Sequence, residues 1–263
     1  MNLDFFGIER NSGTIAAQVS YGLADGQFRL DYQPMVNSRS GRISGVASQL
    51  RWHHPRYGLL LPDAFCHAFA DDVVARESFY FVFNAVCMAL KNREASSGAG
   101  DFRIALGVQP SVLVDERLGD RVEEIAGRHE LHPGRFDFEI EAADDAAGLL
   151  LLNEFTEPLR SIGVRLICEG LGTARVPLAA LAGMKIDGVK LDRALVHKVP
   201  ACKRAGIVLG GVFDLCARLG LDVVVAGVES GAQAQWLASR VDADMLGSYV
   251  RQPQPTLDQA LRS

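Results

Sequence analysis

Arg51 and Trp52 end a short run of residues that predicts a β-strand, since apolar residues recur from Ile43 to Leu50 and Pro55 follows. A guanidinium group forms paired hydrogen bonds with phosphate oxygens and stays charged at every cellular pH. An indole ring beside it offers a flat apolar surface to a base. The pair therefore predicts a site that binds a phosphate and a base.

Other polar residues lie in or just after short apolar runs further along the chain. They are amides, carboxylates and an ammonium: Gln33, Gln109, Glu139, Glu169, Lys190, Asp192 and Glu229. Carboxylate and amide oxygens bind divalent cations, and two cations about 3.5–4 Å apart can polarise a phosphate and activate a water. These residues decide the function if the fold brings them to one end of the strands.

Eight apolar runs predict strands: Phe28–Val36, Gly41–Trp52, Phe102–Val108, Phe136–Ile140, Val164–Cys168, Gly188–Leu191, Asp222–Val225 and Ala243–Leu246. Helical patterns lie between them: Asp63–Asp71, Val74–Arg93, Ser111–Arg128, Ala146–Ile162, Val176–Ala182, Ala201–Leu219 and Ala232–Ser239. This alternation predicts an α/β fold, a (β/α)8 TIM-type barrel. The short connection 37–41 predicts a hairpin and hence an antiparallel first strand. In such a barrel the functional site lies at the carboxyl ends of the strands.

Composition limits the classes of function. A hydrophobic share of 48% supports one large core, so we predict one barrel domain, 27–263, preceded by an appendage, 1–26, that could hold one helix. The net charge of -5 argues against nucleic-acid binding. No apolar run of membrane-spanning length and no signal-peptide pattern is evident, which predicts a cytoplasmic location.

Two segments resemble the opening of an EAL domain, the bacterial phosphodiesterase module that linearises cyclic di-GMP. These are Asp31-Tyr32-Gln33-Pro34-Met35-Val36 and the run from Val46 to Trp52, followed by His-His-Pro. The resemblance extends from about Phe28 to Pro255. The Glu of the family's Glu-Ala-Leu tripeptide is a metal ligand, and Ala47-Ser48-Gln49 stands in its place here.

The resemblance implies further changes at the positions of the family's metal ligands and general base. The vestigial active-site positions are Ala47, Gln109, Glu139, Glu169, Gly170, Lys190, Ala226 and Leu246. Glu139 and Lys190 are unchanged, whereas Ala226 stands at the general base; Ala142 also replaces a Glu that steadies the catalytic loop. Loss of a general base alone slows a reaction by about 10²–10⁴. We therefore predict a catalytically inactive protein that is not an enzyme and needs no Mg²⁺ or other cofactor.

The residues that the family uses mainly to contact the dinucleotide are present. The resemblance assigns cyclic di-GMP binding to Gln33, Arg51, Asp192, Glu229 and Pro253. We therefore predict a cyclic di-GMP receptor that signals through an unidentified regulatory protein. A homodimer is a further expectation, with a surface altered near Ala174.

Other interpretations remain open. The chain could be a nucleotide-independent interaction regulator built on the same barrel, or an enzyme that uses Glu139, Glu169 and Lys190 for other chemistry. These three residues could also only neutralise one another. Arg51 beside Trp52 could be a stacked structural pair.

Overall fold

The computed structural model describes residues 12–98, 100, 102–141, 146–172 and 176–262. The strands are β1 (Phe28–Asn37), β2 (Ile43–His54), β3 (Gly58–Leu60), β4 (Arg103–Val108), β5 (Phe136–Ile140), β6 (Arg165–Leu171), β7 (Gly188–Leu191), β8 (Asp222–Ala226) and β9 (Asp244–Leu246). Three-residue and five-residue 3-10 helices cover Pro62–Ala64, Cys66–Ala70, Pro133–Arg135 and Leu178–Ala182.

The α-helices lie mostly between these strands. They are α1 (Ser12–Ala24), α2 (Asp72–Ser97), α3 (Pro110–Leu113), α4 (Leu118–Arg128), α5 (Ala146–Leu149), α6 (Asn153–Ser161), α7 (Arg193–Val196), α8 (Lys203–Leu219), α9 (Gly231–Ala238) and α10 (Leu257–Ala260). Residues 1–11 of the predicted appendage, Ala142 and the segment 173–175 lie outside the described residues.

The strands close into a barrel in the order β1-β9-β8-β7-β6-β5-β4-β2, with β1 also paired to β2. Strand β1 runs antiparallel to both neighbours, and the other barrel pairs, from β2–β4 to β8–β9, are parallel. The predicted (β/α)8 barrel with an antiparallel first strand is confirmed. The short strand β3 was not predicted and pairs only with β2, antiparallel, on its outer side.

The helices cover the outside of the barrel because alternate strand residues face them. Phe136 and Phe138 of β5 lie 5.0 and 5.3 Å from Phe83 and Phe79 of α2, ring centre to ring centre, in edge-to-face contacts. All four side chains are buried. This aromatic stripe of α2 therefore belongs to the core, and it fixes α2 beside the strands.

Helix α1 packs against the barrel. Its Ile15 and Val19 are fully buried in a second core with Trp52, Phe65 and Val74. This second core joins α1, β2, the 3-10 turn near residue 65 and the start of α2. The division of the chain at residue 26 stays a prediction.

Three predicted helices are interrupted, and the first, Asp63–Asp71, forms the two 3-10 helices Pro62–Ala64 and Cys66–Ala70. The predicted helix Ser111–Arg128 divides into α3 and α4 because the Asp115 carboxylate accepts a hydrogen bond from the backbone N–H of Arg117 and so caps a turn. The predicted helix Ala146–Ile162 divides into α5 and α6 at a tight turn in which Leu151 and Leu152 donate to carbonyls three residues earlier.

Helix α2 is the element that bears on the expectation that no apolar run approaches the length of a membrane span. Its 26 residues are long and apolar enough to cross a membrane, judged by length and composition alone. Among the described residues, it is the one helix that meets this test. Core helices meet the same test, and α2 carries eight buried residues.

Candidate ligand site at the carboxyl ends of the strands

A cavity of about 190 Å³ opens at the carboxyl ends of the barrel strands. Its charged and amide lining comes from five strands or the residues that follow them: Gln49, Gln109, Glu139, Glu141, Glu169 and Lys190. The parallel arrangement brings these strand ends to one edge, as expected for a barrel. The predicted polar residues of β4 to β7 therefore do meet.

Lys190 holds two of these carboxylates. Its Nζ lies 2.9 Å from Oε2 of Glu139 and 3.1 Å from Oε1 of Glu169. Register explains the contact, since Glu169 of β6 is the direct partner of Lys190 on β7. The interpretation that these three side chains neutralise one another thus has a geometric basis.

The cluster has more carboxylates than cations. Burial raises the pKa of Glu139 despite the nearby Lys190 charge, and burial together with the Glu169 charge raises the pKa of Glu141. Burial acts to lower the pKa of Lys190, but Glu139 and Glu169 outweigh it and hold that pKa above its ordinary value. Oε1 of Glu139 is buried without a hydrogen-bond partner in the described structure. This floor of the cavity is therefore electronegative.

Arg51 lies in a second polar network on the β1–β2 side of the barrel. Its Nε donates to Asp31 at 2.9 Å, its Nη1 to the Leu50 carbonyl at 3.1 Å and its Nη2 to Oε1 of Gln49 at 2.5 Å. The side chain is only 7% exposed. A guanidinium has five N–H groups, and these contacts use three of them, while Arg51 itself is not among the residues that line the cavity.

Gln33 joins this network through Gln49. The Nε2 of Gln49 donates to Oε1 of Gln33 at 2.7 Å, and the Nε2 of Gln33 donates to the Arg251 carbonyl at 2.8 Å. Gln33 is buried, with 7% exposure. The structure therefore links two of the predicted ligand-binding residues, Gln33 and Arg51, through one intervening side chain.

Trp52 corrects the predicted pairing of a cation with a base-stacking ring. It is 1% exposed, it stacks on Phe28 at 5.0 Å, and its Nε1 donates to Oε1 of Gln27. Successive strand residues face opposite sides of a sheet, so Trp52 points into the second core while Arg51 faces the inside of the barrel. Its indole is thus part of the packing beneath α1.

The remaining predicted ligand-binding residues lie on loops. Asp192 caps α7, since its Oδ1 accepts from the backbone N–H of Ala194 at 2.8 Å, and it is half-buried. Glu229 is exposed, and its backbone N–H donates to Oε1 of Gln233. Pro253 is half-buried in the segment after β9. None of the described contacts joins these three residues to Arg51 directly.

The vestigial positions outside this polar cluster have apolar or structural surroundings. Ala47 and Leu246 are buried with Met35, Ala105 and Val224 in a small cluster contributed by five strands. Ala226 ends β8. Gly170 has a φ of +80° beside an irregularity in the β6–β7 register, a conformation that favours glycine.

The donor set does not match a pair of divalent cations. Lys190 Nζ lies between the carboxylates of Glu139 and Glu169, and Ala47 and Ala226 offer only methyl groups. Within the described ranges, no group of three or more His, Cys, Asp or Glu side chains is placed to hold a metal ion. The expectation that Mg²⁺ is not needed stays a prediction.

Three residues of the site were missed from the sequence. Glu141 lies two residues after Glu139, and Gln109 donates a hydrogen bond to it. Asp31 and Gln49 hold Arg51. Strand alternation places Asp31 on the same face as Gln33 and could have indicated it.

Comparison with known proteins gives one consistent family. The sequence profile of the EAL domain matches residues 16–253. The chain is 29% identical over 217 residues to the cyclic di-GMP phosphodiesterase RocR of Pseudomonas aeruginosa, a match that covers 82% of this chain and 55% of that protein. It is 27% identical over 235 residues to the probable cyclic di-GMP phosphodiesterase PdeN of Escherichia coli, covering 88% and 44%. The chain thus spans about half the length of these curated relatives.

A solved structure agrees with this assignment. The structure described as "PaMucR Phosphodiesterase, c-di-GMP complex" superposes with a TM-score of 0.82 at 25% identity, covering 94% of this chain and 99% of that one.

These relatives contradict the prediction that the chain is not an enzyme. Both curated relatives and the solved structure carry the name of phosphodiesterases, so the comparisons point to phosphodiesterase activity. The prediction rested on single positions such as Ala47 and Ala226, whereas the similarity extends over most of the chain.

Proposed function

Because this chain belongs to the EAL domain family, we propose that it binds cyclic di-GMP at the carboxyl ends of its strands and acts in cyclic di-GMP signalling. The observation that carries the proposal is the buried guanidinium of Arg51, which is fixed by Asp31 and Gln49 and keeps two N–H groups for a phosphate. The similarity to a cyclic di-GMP complex supports the identity of the ligand.

Charge indicates how the ligand would lie. The floor formed by Glu139, Glu141 and Glu169 repels phosphate, whereas Arg51 attracts it. A cavity of about 190 Å³ is also smaller than the roughly 300–1,000 Å³ typical of small-molecule sites. The dinucleotide would therefore lie across the mouth, with a phosphate at Arg51 and a guanine edge within reach of Glu229.

The relatives' names make hydrolysis the activity to measure together with binding. We propose that binding itself needs no Mg²⁺, since Lys190 already neutralises part of the carboxylate cluster. Binding and hydrolysis are separate readouts: calorimetry follows the first, and chromatography of the linear product, with and without Mg²⁺, follows the second.

The test is calorimetric titration of cyclic di-GMP into the wild-type chain, Arg51→Ala, Arg51→Lys and the control Arg218→Ala. Arg218 is an exposed arginine of α8, so the control makes the same change of charge away from the site. We expect micromolar binding that Arg51→Ala abolishes and that Arg51→Lys weakens at least about tenfold, because an ammonium lacks the bidentate fork. The control should bind like the wild type.

Two results would overturn the proposal. One is the absence of binding at high micromolar ligand by protein that melts cooperatively. The other is unchanged affinity in both Arg51 variants. Arg51→Lys keeps a cation beside Asp31, so it protects the test against simple unfolding of Arg51→Ala.

Signalling through a protein partner is the second part of the proposal. Capture of a partner that increases with cyclic di-GMP and is lost in Arg51→Lys would support it. Capture that changes neither with cyclic di-GMP nor in Arg51→Lys would favour the nucleotide-independent interaction regulator. A homodimer and a cytoplasmic location stay predictions.

A further inference from the structure

A second cavity, of about 570 Å³, lies outside the barrel along α2. It is lined by α2, β1 and the segment 255–258, and it shares no lining residue with the strand-end cavity. Its volume falls within the range of roughly 300–1,000 Å³ that small-molecule sites occupy. We call it the α2 groove.

One side of the α2 groove is apolar. Leu30 of β1, the α2 residues Phe81, Ala85 and Met88, and Leu257 line it. Met88 is 51% exposed, and its unbranched, flexible side chain can adapt to an apolar ligand. The α2 lining continues to Arg93, so it extends over about 18 Å at 1.5 Å per residue. An elongated apolar body fits this shape.

One buried hydrogen-bond donor of the α2 groove lacks a partner, and a buried tyrosine lies in the same lining. Arg93 donates through Nε to Asp258 at 3.0 Å, but its Nη1 is buried with no partner in the described part of the chain. Tyr32 is 5% exposed, and burial alone raises its pKa to about 12, with no hydrogen bond contributing to that shift. Its hydroxyl therefore stays protonated and able to donate. Buried donors without acceptors are rare in folded proteins.

The charges of the lining favour an anion. Arg29 and Arg93 line the α2 groove together with a single carboxylate, that of Asp258. Arg29 is 45% exposed and only 3.7 Å from Asp31, so its guanidinium is not saturated by that contact. An acceptor group on the ligand would satisfy the Nη1 of Arg93, and Tyr32 lines the same groove.

We propose that the α2 groove binds an amphipathic carboxylate, with an alkyl body along α2 and its carboxylate on Arg93 and Tyr32. Because the Nη1 of Arg93 is buried, the site favours a small molecule whose end group enters the groove. A flat protein surface would cover only the rim. This site is independent of the strand-end cavity and of the proposed function.

Decanoate, below its micellar concentration, is the probe for the intact chain. Calorimetry should show saturable one-to-one binding and a raised Tm, with decanol and decyltrimethylammonium at least about tenfold weaker. Tyr32→Phe should weaken decanoate binding by about three- to tenfold and leave decanol unaffected, because it removes only the hydroxyl. Ala89→Trp, which fills the α2 groove, should abolish binding of both.

The control is Ala217→Trp, at an exposed position of α8, which should bind decanoate like the wild type. Equal binding of decanol and decanoate would overturn the charge argument. Binding that survives Ala89→Trp, or no saturable binding at millimolar decanoate, would overturn the site. Unchanged cyclic di-GMP titrations in Ala89→Trp would show that the variant is folded and that the two sites are separate.

Discussion

Gln49 joins two ligand-binding candidates through one carboxamide, which both donates to Gln33 and accepts from Arg51. Gln49→Leu would leave the Gln33 oxygen and one Arg51 nitrogen without these partners, at a cost of about 1–3 kcal/mol for buried polar groups. We expect cyclic di-GMP affinity to fall about tenfold in calorimetric titrations. The affinity should fall more than stability does, because Arg51 keeps Asp31.

Gln235→Leu is the matched control for this change, since Gln235 is exposed on α9. It should leave the affinity unchanged. If Gln49→Leu binds as tightly as the wild type while remaining folded, Gln49 does not position Arg51 for the ligand.

Lys190 should matter for stability as well as for the charge of the site. Lys190→Met would leave the buried Glu139 without its cation, a loss that typically costs about 3–5 kcal/mol. Urea unfolding at pH 7 should show a decrease of this order. Because the folded-state pKa values of Glu139 and Glu141 are already raised, the defect should shrink as acidic pH protonates them.

The exposed Lys203→Met serves as the control and should change the free energy of unfolding by less than about 0.5 kcal/mol. If Lys190→Met lowers the free energy of unfolding by less than about 1 kcal/mol, the cluster relaxes or takes up water when its cation is lost.

At the scale of elements, Gly22 shows how closely α1 approaches the barrel. A Cβ at this position would lie 2.9 Å from Cε2 of Phe28 and 3.0 Å from Nε1 of Trp52. Gly22→Ala should therefore lower the free energy of unfolding by about 1–3 kcal/mol through overpacking of the second core.

Gly211→Ala is the opposite case, since a Cβ there meets nothing within 4 Å and the residue is exposed in α8. This change should stabilise the chain by about 0.5–1 kcal/mol, because alanine has the higher helix propensity. Both values follow from urea unfolding. A neutral Gly22→Ala would show that α1 shifts to accommodate the methyl group.

The sequence predicted the strands better than the helices. Alternating and continuous apolar runs located all eight barrel strands, and the short connection after β1 made the first strand antiparallel. The breaks within α3–α4 and α5–α6 depend on single capping and turn contacts, such as that of Asp115, which apolar periodicity does not reveal.

The site was predictable in part, because the predicted strands also located its charged residues. Charged residues at strand ends pointed to Glu139, Glu169 and Lys190, which do meet. The orientation of Trp52 was wrong although strand alternation required it to oppose Arg51. Arg51 on β2 and Asp31 on β1 are diagonal neighbours, and their contact depends on the conformations of both side chains. The spacing of the residues alone therefore did not indicate it.

At the scale of the whole molecule, the barrel has a charged network at the end opposite the ligand site. Arg103 lies 2.5 Å from Asp137, and Arg165 contacts both Asp137 and Asp222. Asp244 of β9 lies near this network, with hydrogen bonds from Ser44 and Asn37. Residues at the amino ends of barrel strands contribute to stability.

Burial, together with the charges of Asp222 and Asp137, raises the pKa of Asp244 above its ordinary value despite the hydrogen bonds from Ser44 and Asn37. The ionised carboxylate therefore opposes folding: stability is greatest below the unfolded-state pKa and is lost as pH rises through the higher folded-state value. Asp244→Asn keeps an oxygen acceptor and removes the charge. We expect a gain on the order of 1 kcal/mol, or about 2–4 °C in Tm, at pH 7.

The pH dependence distinguishes this mechanism from a change in packing. The gain in Asp244→Asn should disappear as the pH falls through the raised folded-state pKa and the wild-type carboxyl takes up its proton, whereas a packing effect would persist at every pH. Asp214→Asn, at an exposed position of α8, should change Tm little across the same range. A loss of stability at pH 7 in Asp244→Asn would mean that the hydrogen bonds from Ser44 and Asn37 stabilise the carboxylate more than burial opposes it.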